Sequence, residues 1–406
     1  MNTRPPIESA PPPVALFVSF NNDASCFSVG LNTGMCIFHT KSCLLKASRD
    51  FKAGVGIVEM METTNYLALV GGGRQPKFST SKVRILLLSH DRLLTVLQAI
   101  IWDDLKGKVA MEISTLMPVR GVRISRNRIV VMLQYSVRVY SFAKPPDLIA
   151  KYETTENLQG LCAMSDKIIA FPGRTVGQVN LVDIASGNVS IIPAHSSALK
   201  ALQLSPDGEL LATASDKGTL IRVFATSNSA KVTELRRGVD PANIYSLGFS
   251  PEGTKLACTS DKLTLHVFDV PHPQKPSTAP TSPSASVAGS GILAGRPADD
   301  GTGRWGFLSK IPLMPRVFSD VYSFANAPFD AGDDLITGGV PPSEQTPHIS
   351  SPRPQKGVIG WINEDNLVVI GAGHDAKWEK FVITKGDDGR RYLVREGWKR
   401  ILGAAS

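Results

Sequence analysis

Two neighbouring segments of the chain are copies of each other. Residues 199–224 and 244–268 share a Ser-Pro pair, a glycine two residues later, and then a Ser-Asp-Lys triplet. The offset between them is 45 residues and falls to 44 near the end, because the second copy lacks a counterpart of Ile221. A period of roughly 40–45 residues with several strand-like runs per unit is typical of a β-propeller blade.

Similar groups of strand-like runs occupy the rest of the chain. Residues 15–51, for example, read as four short strands (ALFVSF, SCFSVGL, GMCIF and CLLKAS) separated by Asn, Asp and Gly turns. Helical periodicity is nearly absent. Seven blades at about 42 residues each need roughly 300 residues, and a closed ring leaves few sheet edges exposed. We therefore predict an all-β fold, a seven-bladed β-propeller over residues 15–402 of the 406.

Four segments break this rhythm. Residues 1–14 read as a disordered leader, and the Pro/Ser/Ala/Gly-rich residues 271–318 as a long disordered loop in blade six. Residues 330–355 read as a flexible connector to the last blade. Residues 84–99 interrupt blade two: they are either an extruded loop or helix, or a gene-model error in the form of translated intron.

The composition limits the compartment and the partners. The five cysteines are odd in number and form no CxxC pair, which indicates small buried residues in a reducing compartment. No apolar run approaches the roughly 18–20 residues of a membrane span, and no secretory signal opens the chain. We expect a cytoplasmic protein whose membrane contact is peripheral. The net charge of +8 favours an acidic partner: nucleic acid, a phosphorylated ligand or an anionic membrane.

The motif Leu235-Arg236-Arg237-Gly238 lies between the two copies, on the predicted last strand of a blade. Neighbouring side chains of a strand point to opposite faces, so Arg236 and Arg237 are predicted to serve two different pockets. The repeat supplies further donors at matching places on each side. They are His195, Ser215, Thr219 and Arg222 in the fifth unit, and Ser260, Lys262, Thr264 and His266 in the sixth.

These residue types are the donors that bind phosphate oxygens well: guanidinium forks, hydroxyls and imidazolium. Taken singly, an Arg-Arg pair is often a solvated surface feature, and Ser or Thr often makes only turn hydrogen bonds. Their repetition in two adjacent units favours a ligand site. Gly238 would let the backbone turn away after the pair. Because Ile221 has no counterpart, Thr219 and Arg222 are out of alternation with Thr264 and His266, so we expect a bulge or bend in the fifth-unit strand.

The motif and the blade signatures around it, ATASDKGTLIRVF and CTSDKLTLHVF, resemble those of the PROPPIN family, and the resemblance extends over about residues 15–402. PROPPINs are seven-bladed propellers that bind phosphoinositides and act in autophagy. The leucine form of the motif, together with residues 375–381 (DAKWEKF), resembles the subgroup distinct from the phenylalanine-bearing members. The insertion at residue 84 departs from the family pattern.

The resemblance implies that two rim sites hold phosphatidylinositol 3-phosphate and phosphatidylinositol 3,5-bisphosphate, without a cofactor. Arg236 would act with the fifth-unit donors and Arg237 with the sixth-unit donors. It also gives the blade-six loop a role in membrane insertion. The apolar residues proposed to insert are Trp305, Phe307, Leu308, Ile311, Leu313 and Met314. The alternative is that some of these residues lead into the next strand and pack on the blade.

The resemblance further implies protein partners and a location. The large autophagic lipid-transfer protein would dock on the rim of blades one to three, near the turn that holds Asn21 and Asp23. The protein would recruit autophagy machinery, in selective autophagy or vacuolar functions, at the phagophore assembly site, endosome and vacuole membranes.

Two other function classes compete with this interpretation. One is a WD-type protein-interaction scaffold without lipid binding, and the other is a propeller enzyme. The sequence contains no nucleophile elbow, metal-ligand cluster or P-loop, which favours a non-enzymatic protein. No aromatic stacking ladder accompanies the basic residues, which argues against a nucleic-acid partner.

Overall fold

The structure, a computed structural model, describes residues 13–73, 75–78, 81–83, 94–272, 321–332 and 356–402. Within these ranges the chain forms thirty β-strands arranged in seven sheets, which are the blades of a β-propeller. The predicted all-β, seven-bladed fold is confirmed. No helix in the described ranges is long and apolar enough to span a membrane.

The first three blades follow one another along the chain, each running from an inner to an outer strand. Blade one contains β1 (Ala15–Phe20), β2 (Cys26–Leu31), β3 (Gly34–His39) and β4 (Leu45–Asp50). Blade two contains β5 (Val55–Met60), β6 (Tyr66–Gly71), β8 (Leu94–Asp103) and β9 (Lys108–Thr115), with the short β7 (Ser81–Val83) paired to β8. Blade three contains β10 (Val119–Ile124), β11 (Arg128–Leu133), β12 (Ser136–Ser141) and β13 (Leu148–Glu153).

The remaining four blades repeat this arrangement. Blade four contains β14 (Ala163–Met164), β15 (Ile168–Pro172), β16 (Gln178–Asp183) and β17 (Val189–Pro193). Blade five contains β18 (Leu199–Leu204), β19 (Leu210–Ser215), β20 (Leu220–Ala225) and β21 (Lys231–Arg236), and gains β25 (Val321–Tyr322) on its outer edge. Blade six contains β22 (Ile244–Phe249), β23 (Lys255–Ser260), β24 (Thr264–Asp269) and β26 (Ala325–Pro328). Blade seven contains β27 (Val358–Trp361), β28 (Asn366–Ile370), β29 (Lys377–Lys385) and β30 (Arg391–Arg400).

The burial of each strand follows its place in the blade. The second strands β2, β19 and β23 are buried at every position, because both of their faces pack against neighbouring blades. The outer strands β4 and β13 alternate between exposed and half-buried residues, since only one of their faces is covered. This gradient explains why the second strands have nearly continuous apolar sequences while the outer strands mix charged and apolar residues.

The ring closes between blades one and seven without exchanging a strand. Every strand of blade one comes from the start of the described chain, and every strand of blade seven from its end. The backbones of Ala15 and Gly373 exchange two hydrogen bonds of 3.0 Å. The buried indole Nε1 of Trp378 donates to the carbonyl oxygen of Thr40 across the same junction, at 2.8 Å. Closure therefore depends on local contacts, among them this single indole hydrogen bond.

The structure moves two boundaries predicted from the sequence, the end of the insertion in blade two and the start of blade one. Residues 94–99, assigned from the sequence to an extruded loop or helix, belong to strand β8, where Leu94–Val96 pair with β7 and residues 97–99 pair with β9. That part of the prediction is wrong, and residues 84–93 lie outside the described chain. At the predicted leader, Val14 is buried and its amide donates to Asn32 Oδ1 at 2.8 Å, so the blade begins there. Residues 1–12, 273–320 and 333–355 also lie outside the described ranges.

We predict that Trp378→Phe destabilises the ring. The variant keeps an aromatic side chain but loses the donor to Thr40, whose carbonyl then lies buried at the junction without that partner. An unsatisfied buried polar group costs about 1–3 kcal/mol in the free energy of unfolding. Urea unfolding followed by circular dichroism measures this loss. Trp398→Phe is the matched control, because Trp398 is 53% exposed; equal losses in the two variants would contradict the assignment of closure energy to the indole.

Candidate functional site

The Leu-Arg-Arg-Gly motif straddles the end of strand β21, the fourth strand of blade five. In its antiparallel pairing with β20, Glu234 lies opposite Arg222 and Leu235 opposite Ile221. Arg236, the last residue of the strand, lies opposite Leu220. On the other edge of β21, Arg236 lies beside Tyr322 of the parallel strand β25. The register of the motif is therefore fixed from both sides.

The two faces of β21 look toward different blades. Leu235 and Ile221 pack in one apolar cluster with Cys258 of blade six, so this face is directed to blade six. Arg222, on the opposite face, donates from Nη1 to the carbonyl oxygen of Ala194 at the end of blade four, at 2.7 Å. Because side chains alternate along a strand, Arg236 lies on the face that carries Arg222.

The residues predicted for the first pocket lie on the blade-four side of blade five. Arg222 donates from Nε to Glu234 Oε2 at 2.8 Å. His195 lies with Nε2 3.0 Å from the hydroxyl of Thr213, which is opposite Arg222 in the sheet. Ser215 follows Thr213 by two residues, so it shares this face, and it is buried. The fourth predicted residue, Thr219, is half-buried in the turn before β20.

Arg237 lies just beyond the strand and is buried. Its amide donates to the carbonyl oxygen of Thr219 at 3.0 Å. Its guanidinium donates from Nε to the carbonyl oxygen of Gly218 at 2.7 Å, and from Nη2 to the carbonyl oxygen of Asp240. The side chain is thus held by the backbone of the β19–β20 turn and of the segment after the motif.

The residues predicted for the second pocket lie on blade six. His266 is half-buried, with Nδ1 3.1 Å from the hydroxyl of Ser323. Ser260 is fully buried at the end of β23. Thr264 donates from its hydroxyl to the carbonyl oxygen of Lys262 at 3.2 Å, and the Lys262 side chain is exposed. Lys262 is therefore the most solvent-accessible cation of this group.

The unequal length of the two repeats is absorbed in a turn. Arg222 lies opposite Thr213 and His266 opposite Cys258, which are equivalent positions in blades five and six. Neither hairpin shows a register shift between its second and third strands. The expected bulge between Thr219 and Arg222 is therefore wrong: Thr219 lies in the bend before β20, and the register shift of β20 against β21 falls after Arg222, between Val223 and Phe224. The extra residue lies in the β19–β20 turn, so Arg222 and His266 have the same alternation and the same facing direction.

Glycine is needed in that turn rather than in the motif. Gly218 has φ of +60°, and a Cβ there would lie 1.8 Å from the carbonyl oxygen of Ala242. In blade six the corresponding left-handed position is taken by Leu263, with φ of +56°. Gly238 is not among the positive-φ residues, and a Cβ there would meet no atom within 4 Å. The expectation that Gly238 provides a backbone turn is therefore not supported by its conformation.

Both histidines are held neutral near arginines. Burial, together with the positive charge of Arg222, lowers the pKa of His195 to about 4. Burial likewise lowers the pKa of His266 to about 4, with Arg237 adding to the effect. The influence of Arg237 on His266 and on the thiol of Cys258 places its charge on the blade-six side. An anion beside either ring would favour the protonated form.

Sequence reasoning missed three partners of these residues. Burial raises the pKa of Glu234, but its hydrogen bond and ion pair with Arg222 outweigh burial and hold the pKa below its usual value. The hairpin register could have revealed Glu234, because it lies directly opposite Arg222. Thr213 is one of the repeat residues and could have been found in the same way. Ser323 gave no local signal, since it is 57 residues from His266.

The other predicted functional residues are the membrane-inserting set and the partner surface, and the structure describes only the second. All six proposed membrane-inserting residues, Trp305 to Met314, lie outside the described ranges. In the predicted partner surface, Asn21 is buried, and its side chain binds the Ser25 hydroxyl and the Cys26 amide within its own turn. Asp23 is exposed and accepts hydrogen bonds from Ser25. Of the two, only Asp23 is accessible to a partner.

The class of protein follows from these observations and from comparison with known proteins. The chain is a seven-bladed β-propeller with basic clusters on both sides of one outer strand. A family model for PROPPIN matches residues 16–294. The chain is 48% identical to SVP1-like protein 2 of Neurospora crassa, over 99% of both chains, and 31% identical to SVP1-like protein 2 of Saccharomyces cerevisiae, over 99% of this chain and 100% of that one.

Solved structures share the fold. Kluyveromyces lactis Hsv2 superposes with a TM-score of 0.67 at 22% identity, over 96% of this chain and 99% of that one. KlAtg21, in its complex with the coiled-coil of AgAtg16, gives a TM-score of 0.61 at 19% identity, over 95% of this chain and 99% of that one. The chain belongs to the PROPPIN family, the phosphoinositide-binding β-propellers of autophagy. Membership indicates peripheral membrane association and a non-enzymatic class of protein.

We predict that the two histidines make stability depend on pH between about 4 and the ordinary histidine pKa near 6.5. In that range the unfolded chain binds up to two more protons than the folded chain at His195 and His266. Stability therefore rises with pH across the window, and it is lost as the pH falls.

Urea unfolding of His195→Gln/His266→Gln at pH 4.5 to 7.5 should give a shallower dependence than the original chain. His39→Gln, at an exposed position on blade one, is the control. A double variant whose pH profile equals that of the control would rule out this contribution.

Proposed function

We propose that the protein binds phosphatidylinositol 3-phosphate and phosphatidylinositol 3,5-bisphosphate through two rim sites around the Leu-Arg-Arg-Gly motif, and that it recruits autophagy machinery to membranes. The observation that carries this proposal is the placement of Arg236 and Arg237 relative to β21. Arg236 shares the face of Arg222, toward blade four, while Arg237 acts electrostatically on His266 of blade six. The two arginines therefore act on different sides of β21, as two separate sites around the motif require.

In the first site, Arg236 is the residue proposed to take the phosphate. Arg222 is already paired with Glu234 and with the carbonyl oxygen of Ala194, so it serves mainly to position its neighbours. His195 would gain a proton when phosphate oxygens approach, which adds a charge-assisted donor. The buried hydroxyl of Ser215 and the turn residue Thr219 complete the proposed set.

In the second site, Arg237 and His266 are the central pair. Arg237 keeps its guanidinium fixed through the carbonyl oxygens of Gly218 and Asp240, so little side-chain order is lost on binding. Lys262 is exposed and suits the first encounter with an anionic headgroup. Ser260 and Thr264 hold the turn that presents Lys262. The open space beside Gly238 leaves room for a ligand next to the arginines.

Two headgroup sites on one molecule act together. A second binding event at a local concentration in the millimolar range can raise avidity by about 10²–10⁴ without new contacts. The blade-six loop is proposed to add insertion through Trp305, Phe307, Leu308, Ile311, Leu313 and Met314. Each buried CH₂ contributes about 0.8 kcal/mol, and nearby Lys or Arg about 1 kcal/mol each.

The finer biological role also belongs to this proposal. We propose that the protein belongs to the subgroup with the leucine form of the motif, on the residues Leu235 to Gly238. We place the protein at the phagophore assembly site, endosome and vacuole, in selective autophagy or vacuolar functions. The autophagic lipid-transfer protein is proposed to bind blades one to three near Asp23, which is exposed there.

We predict that Arg236→Thr/Arg237→Thr abolishes binding to liposomes that contain phosphatidylinositol 3-phosphate. Loss of both guanidinium groups removes the central donor of each site, whereas each single variant should keep one site and float at an intermediate level. Flotation on liposomes with and without the phosphorylated lipid measures this.

The control for charge removes two cations elsewhere. Lys385→Thr/Arg390→Thr changes exposed residues of the blade-seven hairpin and should float like the original chain. Because Arg237 also binds two backbone carbonyls, a circular dichroism melt must show that the motif variant remains folded. A folded motif variant that floats normally would refute the proposal and favour the protein-interaction scaffold.

A further inference from the structure

Blade three carries a cation at the strand position that the two proposed rim sites use. Strands β12, β20 and β24 are the third strands of blades three, five and six, and their first five residues have the same burial pattern. The third residue of each strand is half-buried. It is Arg138 in blade three, Arg222 in blade five and His266 in blade six. Arg138 is therefore the structural equivalent of one residue from each of the two proposed rim sites.

The side chain of Arg138 faces blade two. Arg138 lies opposite Val131 of β11 in the sheet, so the two side chains share a face. Val131 packs in one cluster with Met111 and Ile113 of β9, the outer strand of blade two. Arg138 thus lies in the groove between blades two and three, just as Arg222 faces the groove between blades four and five. Neither Met111 nor Ile113 carries a charge to neutralise it.

The residue opposite the arginine, on the fourth strand of the blade, is negatively charged in blade five and positively charged in blade three. In blade five, Arg222 lies opposite Glu234 and binds it at 2.8 Å. In blade three, Arg138 lies opposite Lys151, which is exposed. Two like charges directly opposite one another destabilise a sheet. The groove of blade three therefore carries two cations where the groove of blade five carries an ion pair.

Neighbouring carboxylates are engaged elsewhere. Glu153, on the same strand as Lys151, forms an ion pair with Arg174 of blade four at 2.9 Å. Glu156 accepts hydrogen bonds from Gln134 at 2.9 Å and from Tyr135 at 3.1 Å. The positive charge of Arg138 and Lys151 is not balanced by either.

The guanidinium of Arg138 also has an unsatisfied donor. Its Nε is buried and has no hydrogen-bond partner among the residues that the structure describes. A buried N–H without a partner costs free energy, and more so on a charged group. An oxyanion held between the half-buried guanidinium and the exposed ammonium of Lys151 relieves the repulsion between these two cations, because a guanidinium fork and an ammonium are both strong donors to phosphate.

We propose that the groove between blades two and three is a third anion site, in which Arg138 and Lys151 bind the phosphate oxygens of an inositol phosphate. The likeness of strand positions rests on the proposed function, whereas the unpaired charge and the buried donor do not. Two blades separate this groove from that between blades four and five. Its ligand is therefore a free inositol phosphate, or a headgroup on a second membrane.

The test observes the Nε–H signal of Arg138 directly by nuclear magnetic resonance on the full chain. Arg138→Lys assigns the signal by its disappearance. Inositol 1,3-bisphosphate is then titrated into the Arg236→Thr/Arg237→Thr variant, which lacks both rim arginines. We expect the Arg138 signal to shift and saturate, with roughly tenfold weaker affinity in a background that also carries Lys151→Gln. Lys385→Gln is the matched control, an exposed lysine of blade seven whose loss should leave the affinity unchanged.

The outcomes separate the two proposals. An Arg138 signal that stays in place while the Arg236 and Arg237 signals of the original chain move would overturn the third site and leave the rim sites intact. The reverse result would overturn the rim sites and leave the third site. Equal affinities in the Lys151→Gln and Lys385→Gln variants would remove Lys151 from the site and overturn the proposal as stated.

A vesicle experiment distinguishes the two sources of the ligand. Vesicles with phosphatidylinositol 3-phosphate are mixed with the original chain and with Lys151→Gln, and clustering is followed by light scattering. Clustering that Lys151→Gln abolishes, with flotation retained, identifies a headgroup on a second membrane. A shift of the Arg138 signal without clustering identifies the free inositol phosphate. Either result supports an anion site in this groove.

Discussion

The pairing of β21 with β20 determines which way each arginine of the motif points. Glu234 opposite Arg222 and Leu235 opposite Ile221 fix the register, one by an ion pair and the other by burial in the cluster shared with blade six. A slip of one residue would bury a charge and expose Leu235, because the side-chain period of a strand is two. The two proposed sites therefore depend on the register of this hairpin, which the ion pair and the burial of Leu235 fix without any ligand.

The fold could be predicted because the repeat period records the blade directly. Turns, buried second strands and half-exposed outer strands recur every 40–45 residues or so, and a ring is the arrangement that pairs or covers their faces. Residues 94–99 were less predictable. Their leucines have a spacing that also suits a helix, and for a short apolar run the pattern alone does not decide. The pairing of Leu94–Val96 with β7, and of residues 97–99 with β9, decides it instead.

The sequence could predict the site residues that occupy equivalent positions in the two repeats, but not their partners elsewhere in the chain. Arg222 and His266 come from equivalent strands, so the repeat assigned one of them to each of two neighbouring sites. Sequence alignment placed the extra residue of blade five at Ile221, whereas the backbone accommodates it in the turn, next to Gly218. A turn tolerates an added residue at lower cost than a strand packed on both faces. The contact between His266 and Ser323 could not be read locally, because a long segment separates them.

The third residue of the third strand is a basic side chain in blades three, five and six, and its charge is treated differently in each blade. Arg222 is balanced by Glu234, and His266 avoids the charge because burial and Arg237 keep the imidazole neutral. Arg138 has neither solution, since it faces Lys151 and its Nε is unpaired within the described chain. The first two grooves are stable when empty and become more positive only as an anion approaches. The third bears its full charge at all times, so its stability depends on the anion concentration in a way that theirs does not.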